Sequence, residues 1–270
     1  MAFPIKGILK LTGDLLRRSW LPLMLVTFLH LLPEWLTKFG QGLFMSPALR
    51  DAFVSPRGFG PVAWALIAVS WFLHGFHMSA VTEIALRTAA AKPTKLSRLM
   101  LSATVYAVPV LILQALLKLI IVAGSLFLIV PGLFLGAAFS VVVPAYICEG
   151  KSLPEAFRQS FKLTQGRRLP IGALWFSIIL VMDLLTGSLL SAATSLEYAV
   201  HQILPALSLP PLPLPEPPSP FFVSPLGKVL TTLAWQVYIV ALMVLNVGIY
   251  LALRFHKTDS TDNQIAALFE

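Results

Sequence analysis

Two histidines, His74 and His77, stand one helical turn apart in the apolar segment WFLHGFHMSAVTE. Side chains three residues apart lie on one face of a helix, so both imidazoles are expected to point to the same side. Two imidazoles hold a metal ion only when further ligands join them, and the sequence offers His30, Glu34 and Glu83 for that purpose. We interpret the pair as hydrogen-bonding groups between helices, and we expect no metal and no cofactor.

Three other polar residues, Lys118, Asp183 and Gln236, interrupt apolar runs. A polar side chain in hydrocarbon is costly, so each is a candidate for function. Two interpretations stay open for Lys118 and Asp183. They pair across two helices, or the lysine reaches outward to the membrane surface while the aspartate is hydrogen-bonded. We expect Gln236 to hydrogen-bond between helices.

Enzymatic motifs are missing from the chain. It contains no nucleophile elbow, no His-Glu-x-x-His, no phosphate-binding loop and no paired-carboxylate pattern. We therefore expect no catalytic residues and do not expect an enzyme.

The composition indicates the setting of these residues. The chain has 270 residues, of which 57% are hydrophobic and 12% charged, with a mean hydropathy of +0.82. Soluble domains have about 25% charged residues. A membrane span needs roughly 20 apolar residues, and six runs qualify: 19–36, 61–86, 100–122, 125–147, 169–192 and 227–253. The sequence predicts an all-α integral membrane protein, a single polytopic domain over 1–270 with six spans arranged as three hairpins.

The net charge of +8 is distributed asymmetrically. If the N-terminus is inside, fifteen of the twenty Lys and Arg residues fall in inside stretches, as the positive-inside rule expects. The fifteen are Lys6, Lys10, Arg17, Arg18, Arg87, Lys92, Lys95, Arg98, Lys151, Arg158, Lys162, Arg167, Arg168, Arg254 and Lys257. This pattern predicts a protein of the bacterial inner membrane with both termini in the cytoplasm. No aromatic-basic groove is discernible, so nucleic acid is not an expected partner.

The segment 148–168 is predicted to form an interfacial elbow before the fifth span. Ser152 and Glu155 have the spacing of a capping box, and Gly166 is placed to end the helix. Between them a predicted apolar face lies opposite a basic face that carries Arg158 and Lys162. The apolar face consists of Leu153, Phe157, Phe161 and Thr164, with Ala156 and Ser160 alongside. Such a helix lies flat in the membrane interface with its basic face toward anionic headgroups.

The elbow pattern recurs near the N-terminus. LKLTGDLLRRSWLPLMLV, residues 9–26, repeats the order Lys-Leu-Thr, Gly, Arg-Arg, Leu-Pro found in FKLTQGRRLPIGALWF. A second interfacial helix is therefore predicted over 1–18. Membrane lipids with anionic headgroups are the expected partners of both helices, through Arg17, Arg18, Arg158, Lys162, Arg167 and Arg168.

Glycines and prolines predict the connections and the close contacts. Ala123–Ser125 is predicted to form a tight hairpin turn around Gly124, and Gly132 with Gly136 to form a small-residue face for helix packing. The loop 204–225 contains nine prolines and should be extended and polyproline-like. It is either a stiff spacer or a docking strand for a membrane-protein partner outside the cytoplasm.

The run LIVPGLFLGAAFSVVVPAYICEGKSLPEAFRQSFKLTQG resembles the YciC-like inner-membrane proteins and the related membrane domain of some glycerophosphodiester phosphodiesterases. The features that match are Pro131-Gly132, Pro144, Glu149-Gly150, Ala156-Phe157, Ser160, Leu163-Thr164 and Gly166. The resemblance implies a polytopic bacterial inner-membrane protein and transfers no catalytic residue, because the phosphodiesterase chemistry of that family belongs to a separate soluble domain.

Two functions follow from these features. The first is a non-catalytic accessory or scaffold module that binds anionic lipid and a membrane-protein partner, the partner through the spans or the Pro-rich loop. The alternative is a small transporter with an intramembrane polar site, but no span is visibly broken at its midplane as in many transporters.

Overall fold

The computed structural model describes residues 4–43, 54–55, 58–59, 61–92, 95–127, 129–206 and 225–255. The predicted Pro-rich loop, 204–225, lies outside the described residues except at its two ends. The same holds for residues 1–3 of the predicted interfacial helix.

Apart from connecting turns, the described residues form helices and one pair of two-residue strands. The elements are α1 (Ile5–Leu43), β1 (Val54–Ser55), β2 (Gly58–Phe59), α2 (Pro61–Ala89), α3 (Leu96–Phe127), α4 (Ile129–Phe139), α5 (Val142–Glu149), α6 (Leu153–Leu163), α7 (Arg168–Ala206) and α8 (Pro225–Phe255). β1 and β2 pair in antiparallel fashion. The predicted all-α class is confirmed for this part of the chain.

Five stretches of these helices are long and apolar enough to cross a membrane. They are Ile5–Leu32, Leu96–Leu126, Val130–Glu149, Arg168–Ala193 and Val229–Phe255. Several apolar helices of this length are typical of a multi-pass membrane protein. The predicted second run, 61–86, forms α2 but is not among the five.

The helices belong to two compact units, which we describe separately. The first unit contains Met1–Gly172 and Val240–Glu270, and the second contains Ala173–Ile239. In the first unit α2 packs against α1 on one side and α3 on the other, and α3 also packs against α4. The second unit consists of most of α7 and the first half of α8.

The backbones of α2 and α3 touch at Gly75. A Cβ atom there would overlap the carbonyl oxygen of Ala107 and lie 3.1 Å from the Cβ of Leu111. Glu83, further along α2, is hydrogen-bonded to Ser102, which precedes Ala107 in α3. The two helices are therefore antiparallel, and glycine allows their close approach at this level.

The predicted turn at Ala123–Ser125 is wrong, because α3 continues through Phe127. Gly124 lies inside the helix, where a Cβ would be 3.2 Å from the Cα of Gly132. These two glycines therefore allow α3 and α4 to approach closely, and the chain turns after Phe127. Gly136, one turn beyond Gly132, is buried.

Two of the predicted apolar runs contain a break in the helix. In α1, Ser19 has φ −112° and ψ 15°, and its hydroxyl donates to the carbonyl of Leu15 at 2.5 Å. Such bonds bend helices. The run 125–147 is divided at Ser140 and Val141, in the middle of the candidate span Val130–Glu149, so the expectation that no span is broken at its midplane is wrong here. The second break leaves the last carbonyls of α4 without helical partners.

Candidate functional site: a basic elbow and a polar cavity

The elbow helix α6 begins with the predicted capping box. The carboxylate of Glu155 accepts hydrogen bonds from the backbone N–H of Ser152 at 3.1 Å and from its hydroxyl at 2.8 Å. These two donors lower the pKa of the Glu155 carboxyl from its ordinary value. At the other end, α6 finishes at Leu163, and Gly166 adopts φ +75° in the turn that follows. A left-handed residue at this position favours glycine.

The packed face of α6 consists of small residues. Ala156, Ser160 and Thr164 recur every fourth residue and are fully buried. The hydroxyl of Ser160 donates to the carbonyl oxygen of Ala138 at 3.0 Å. The hydroxyl of Thr164 lies 3.0 Å from the same oxygen and 2.9 Å from the carbonyl of Ser160, so its one proton is shared between these two acceptors. That carbonyl belongs to the last turn of α4, where no intrahelical donor is available. The elbow therefore supplies hydrogen-bond donors to the carbonyl of Ala138, which lacks a helical partner at the break after α4.

The residues of the predicted apolar face of α6 are buried to different degrees. Its small residues Ala156, Ser160 and Thr164 are buried, whereas Phe161 is 44% exposed and Phe157 is half-buried. Both rings contact Phe139, with centroids 5.3 and 5.9 Å away. The rings of Phe157 and Phe161 pack at the edge of the contact between α6 and α4, because only the small residues of α6 allow a close approach to α4.

Removing the two hydroxyls is expected to destabilise the protein in a non-additive way. Ser160→Ala or Thr164→Val alone should cost about 1 kcal/mol, because the other hydroxyl still satisfies the carbonyl of Ala138. The double variant leaves that buried carbonyl unpaired, and its cost should exceed the sum of the single costs. Unfolding in detergent measures this. Additive costs would contradict the shared acceptor.

The predicted headgroup residues differ in their placement. Arg158 and Lys162 are exposed, about 200° around the helix from Ser160. Arg167 is half-buried in the turn after α6. Arg168 is engaged in the elbow itself: its guanidinium lies 3.6 Å above the ring of Phe161 and donates to the backbone carbonyl of that residue at 3.0 Å. It is therefore a structural contact at the end of α6.

The N-terminal copy of the pattern has a similar construction. Arg17 and Arg18 are exposed on α1, just before the break at Ser19. On the opposite side Thr12 is buried, as is Thr164 at the matching position of the elbow. Its hydroxyl donates to the carbonyl of Ile8, and it lies against Gly248 of α8.

A buried carboxylate, Glu149, connects the start of the elbow segment to α8. Its side chain is 6% exposed. It forms an ion pair with Lys151 at 2.6 Å and accepts a hydrogen bond from the hydroxyl of Tyr250 at 2.9 Å. Arg254 and Gln159 lie at the same oxygen at longer distances, 3.9 and 3.5 Å. Sequence alone does not predict this contact, because Tyr250 is 101 residues away.

A second carboxylate, Glu83, stands near the end of the apolar run 61–86, and this position in the sequence predicts that it reaches water. It is 3% exposed instead. Arg87 donates to it from one turn further along α2 at 2.7 Å, and Ser102 donates to it from α3. The prediction is wrong because Ser102 of the neighbouring helix α3 donates a hydrogen bond to Glu83, so the carboxylate can remain out of solvent beside Arg87.

The predicted histidine pair is joined by a third imidazole. His30 of α1 stacks on His77 with ring centroids 4.8 Å apart and planes 5° apart, and its centroid lies 5.5 Å from that of His74. Thr27 donates its hydroxyl proton to the carbonyl of Leu23. The same oxygen lies 3.2 Å from Nε2 of His77, and the tautomer of the imidazole decides which of the two groups donates.

A cavity of about 600 Å³ opens beside these rings, between α1, α2 and α3. Its surface is largely apolar, and the polar residues in its lining are His30, Ser70, His74, Gln114 and Lys118. The structure therefore brings together His74 and Lys118, which the sequence analysis singled out separately. Among the described residues, no group of three or more His, Cys, Asp or Glu side chains is arranged to hold a metal ion.

The remaining two predicted polar residues lie in the second compact unit. Asp183 is exposed on α7, and Gln236 is buried on α8. The side-chain oxygen of Gln236 has no hydrogen-bond partner within the described part of the chain.

The fold and these two sites define a multi-helix protein of membrane-spanning character. Comparison with protein-family models, with curated proteins and with solved structures gives no match.

Proposed function

We propose that the chain is a non-catalytic, multi-pass protein of the bacterial inner membrane that acts as an accessory or scaffold module. It binds anionic lipid through its basic elbow, and it holds a membrane-protein partner through its spans or the Pro-rich loop. The observation that carries the proposal is the two-sided construction of α6. On one face the hydroxyls of Ser160 and Thr164 contact the carbonyl oxygen of Ala138 within hydrogen-bond distance. On the other face Arg158 and Lys162 are exposed.

A basic helix that is already packed against the rest of the protein is well suited to bind an anionic membrane surface. Each Lys or Arg near such a surface contributes about 1 kcal/mol of attraction. Because α6 is already folded and attached to α4, no helix has to be ordered when lipid binds. The exposed ring of Phe161, beside the cations, provides the apolar contact that interfacial helices make with the acyl region.

The proposed membrane arrangement has six spans as three hairpins, with both termini in the cytoplasm. In it α2 is the sixth span: its 29 residues extend about 43 Å, enough to cross the hydrocarbon. The positive-inside distribution supports this orientation. The break at Ser19 supports an interfacial segment over 1–18, with Arg17 and Arg18 at headgroup level. Membership of the YciC-like proteins is part of the same proposal.

Charge reversal at the elbow tests lipid binding. The double variant Arg158→Glu and Lys162→Glu is expected to retain no more than about one tenth of the phosphatidylglycerol that the wild type retains, because two attractive charges become repulsive. Native mass spectrometry of protein from mixed phosphatidylglycerol and phosphatidylcholine nanodiscs counts the retained lipids.

The matched control exchanges the two cations, Arg158→Lys with Lys162→Arg, and should retain phosphatidylglycerol as the wild type does. The difference should shrink at high salt, because exposed charges are screened. Equal phosphatidylglycerol retention by the charge-reversed protein and the control would refute the proposed lipid site.

A small transporter is the second candidate, favoured by the polar cavity beside His74 and Lys118. Transport requires that this cavity open to each side of the membrane in turn. A cysteine in place of Lys118, in a Cys148→Ser background, would then react with impermeant maleimide from both sides. Reaction from one side alone would argue against transport.

A further inference from the structure

The cavity beside His74 has the size and lining of a small-molecule site. Its volume of about 600 Å³ lies in the range of ligand pockets, about 300 to 1,000 Å³. Its apolar lining consists of Trp71, Leu111, Ala115, Leu119 and Val122, and its polar lining consists of His30, Ser70, His74, Gln114 and Lys118. A long apolar wall with a few convergent polar groups is typical of sites for amphiphilic ligands.

The α3 wall of the cavity carries a polar strip. Gln114 and Lys118 are one turn apart, with Leu111 before them and Val122 after them. These four positions follow one face over 11 residues, about 16 Å of helix. A ligand whose polar end lies beside Gln114 and Lys118 could extend its chain along the apolar residues on either side of them.

The charge of the lining selects the sign of the ligand. Lys118 lines the cavity, no acidic side chain does, and none of the ion pairs formed among the described residues includes it. Lys118 is exposed, so in a membrane its cation would face hydrocarbon unless it reached the membrane surface or met a counter-charge. An anionic ligand would supply that counter-charge.

A polar atom on the α2 side lacks a partner. Nε2 of His74 is buried and has no hydrogen-bond partner within the described part of the chain. A buried unpaired nitrogen is unfavourable, and because the ring of His74 lines the cavity, a rotation of the ring would let a ligand oxygen satisfy it. With its proton on Nε2, His74 would donate to the same oxyanion that Lys118 attracts.

We propose that this cavity binds an anionic amphiphile, an acyl chain that ends in a carboxylate or a phosphate. The oxyanion lies beside Lys118 and Gln114, His74 provides a further hydrogen bond, and the chain follows Trp71 and the apolar residues of α3. The site is distinct from the elbow, and binding here requires neither transport nor the elbow lipids.

Quenching of Trp71 by a dibrominated C18 fatty acid tests the site, because bromine quenches tryptophan fluorescence on contact. The full-length protein is used in phosphatidylcholine nanodiscs. The chain has six tryptophans, so the Trp71→Phe variant identifies the contribution of this one. We expect saturable quenching in the wild type and loss of its saturable part in Trp71→Phe.

Lys118→Gln is expected to weaken binding about tenfold and His74→Phe severalfold, because each loses a hydrogen bond to a charged group. Lys118→Arg should stay within about threefold, since it keeps the charge. Lys10→Gln, an exposed lysine outside the cavity, is the matched control and should change nothing. Unchanged affinity in Lys118→Gln, or saturable quenching that persists in Trp71→Phe, would overturn the proposal.

Competition identifies the source of the oxyanion. Displacement by oleate at lower concentration than by phosphatidate would indicate a fatty acid, and the reverse order a phospholipid. Inorganic phosphate should not displace the probe, because it lacks the chain. Displacement by inorganic phosphate as effective as by oleate would overturn the requirement for an amphiphile. If the elbow variant Arg158→Glu with Lys162→Glu binds the probe normally, the two lipid sites are independent.

Discussion

Replacing Gly75 by alanine is expected to lower the free energy of unfolding by about 3 kcal/mol. A Cβ atom at this position overlaps the carbonyl oxygen of Ala107, so α2 and α3 would have to move apart. Helix propensity alone predicts the opposite sign, because alanine stabilises a helix by about 1 kcal/mol relative to glycine. The sign of the measured change therefore reports on the helix contact.

Gly13→Ala is the matched control for this substitution. Gly13 is also helical, and a Cβ there meets nothing within 4 Å. It should be neutral or slightly stabilising. Unfolding of the two variants in a denaturing-detergent titration provides the comparison. If Gly75→Ala were as stable as Gly13→Ala, the close crossing of α2 and α3 would be incorrect.

Replacing Glu149 by leucine is expected to cost about 3 to 5 kcal/mol, the range for removing one member of a buried charged pair. Lys151 would lose its ion partner at 2.6 Å, and the hydroxyl of Tyr250 would lose its acceptor. Glu149→Gln keeps an acceptor for Tyr250 and should cost less, about 2 kcal/mol. The side chain of Lys151 is 32% exposed, so water compensates part of its lost charge.

The hydrogen bond to Tyr250 can be separated by a double-mutant cycle. Tyr250→Phe alone should cost about 1 to 2 kcal/mol, and it should add little once Glu149 is leucine. Glu155→Gln, at an exposed carboxylate, should have a smaller effect than Glu149→Gln. Full additivity of Tyr250→Phe and Glu149→Leu would show that the two side chains do not interact.

Local features of the sequence predicted the elbow well. The capping box depends on Ser152 and Glu155, three residues apart, and both its partners are visible in the sequence. The left-handed turn depends on Gly166 alone. Such features need no knowledge of the rest of the fold.

Contacts between distant segments were not predictable in the same way. The acceptor of Ser160 is 22 residues away, and hydrophobicity favours Phe161 over serine as a packing residue. Sequence hydrophobicity therefore predicts the packed side of α6 without showing that its small residues, rather than its aromatic rings, make the close contact. Only the break after α4 reveals why hydroxyl side chains are required there.

Glycine presented a similar ambiguity. Gly124 has the sequence features of a turn, yet the helix continues past it, and Gly132 explains why glycine is needed. Turn formation and close helix packing both require glycine, so the residue type does not distinguish them. At the polar cavity the His74 and His77 pair was evident from its spacing. His30 stood out only as a possible third ligand until α1 was placed beside α2.

The central claim is that the elbow faces the inner surface of the membrane, one span away from the Pro-rich loop. Single cysteines in a Cys148→Ser background test it directly, at Gln165 after α6 and at Glu216 in the loop. An impermeant maleimide should label Gln165→Cys only in inside-out vesicles and Glu216→Cys only in right-side-out spheroplasts. Labelling of both positions from the same side would contradict the account, because α7 would then not cross the membrane.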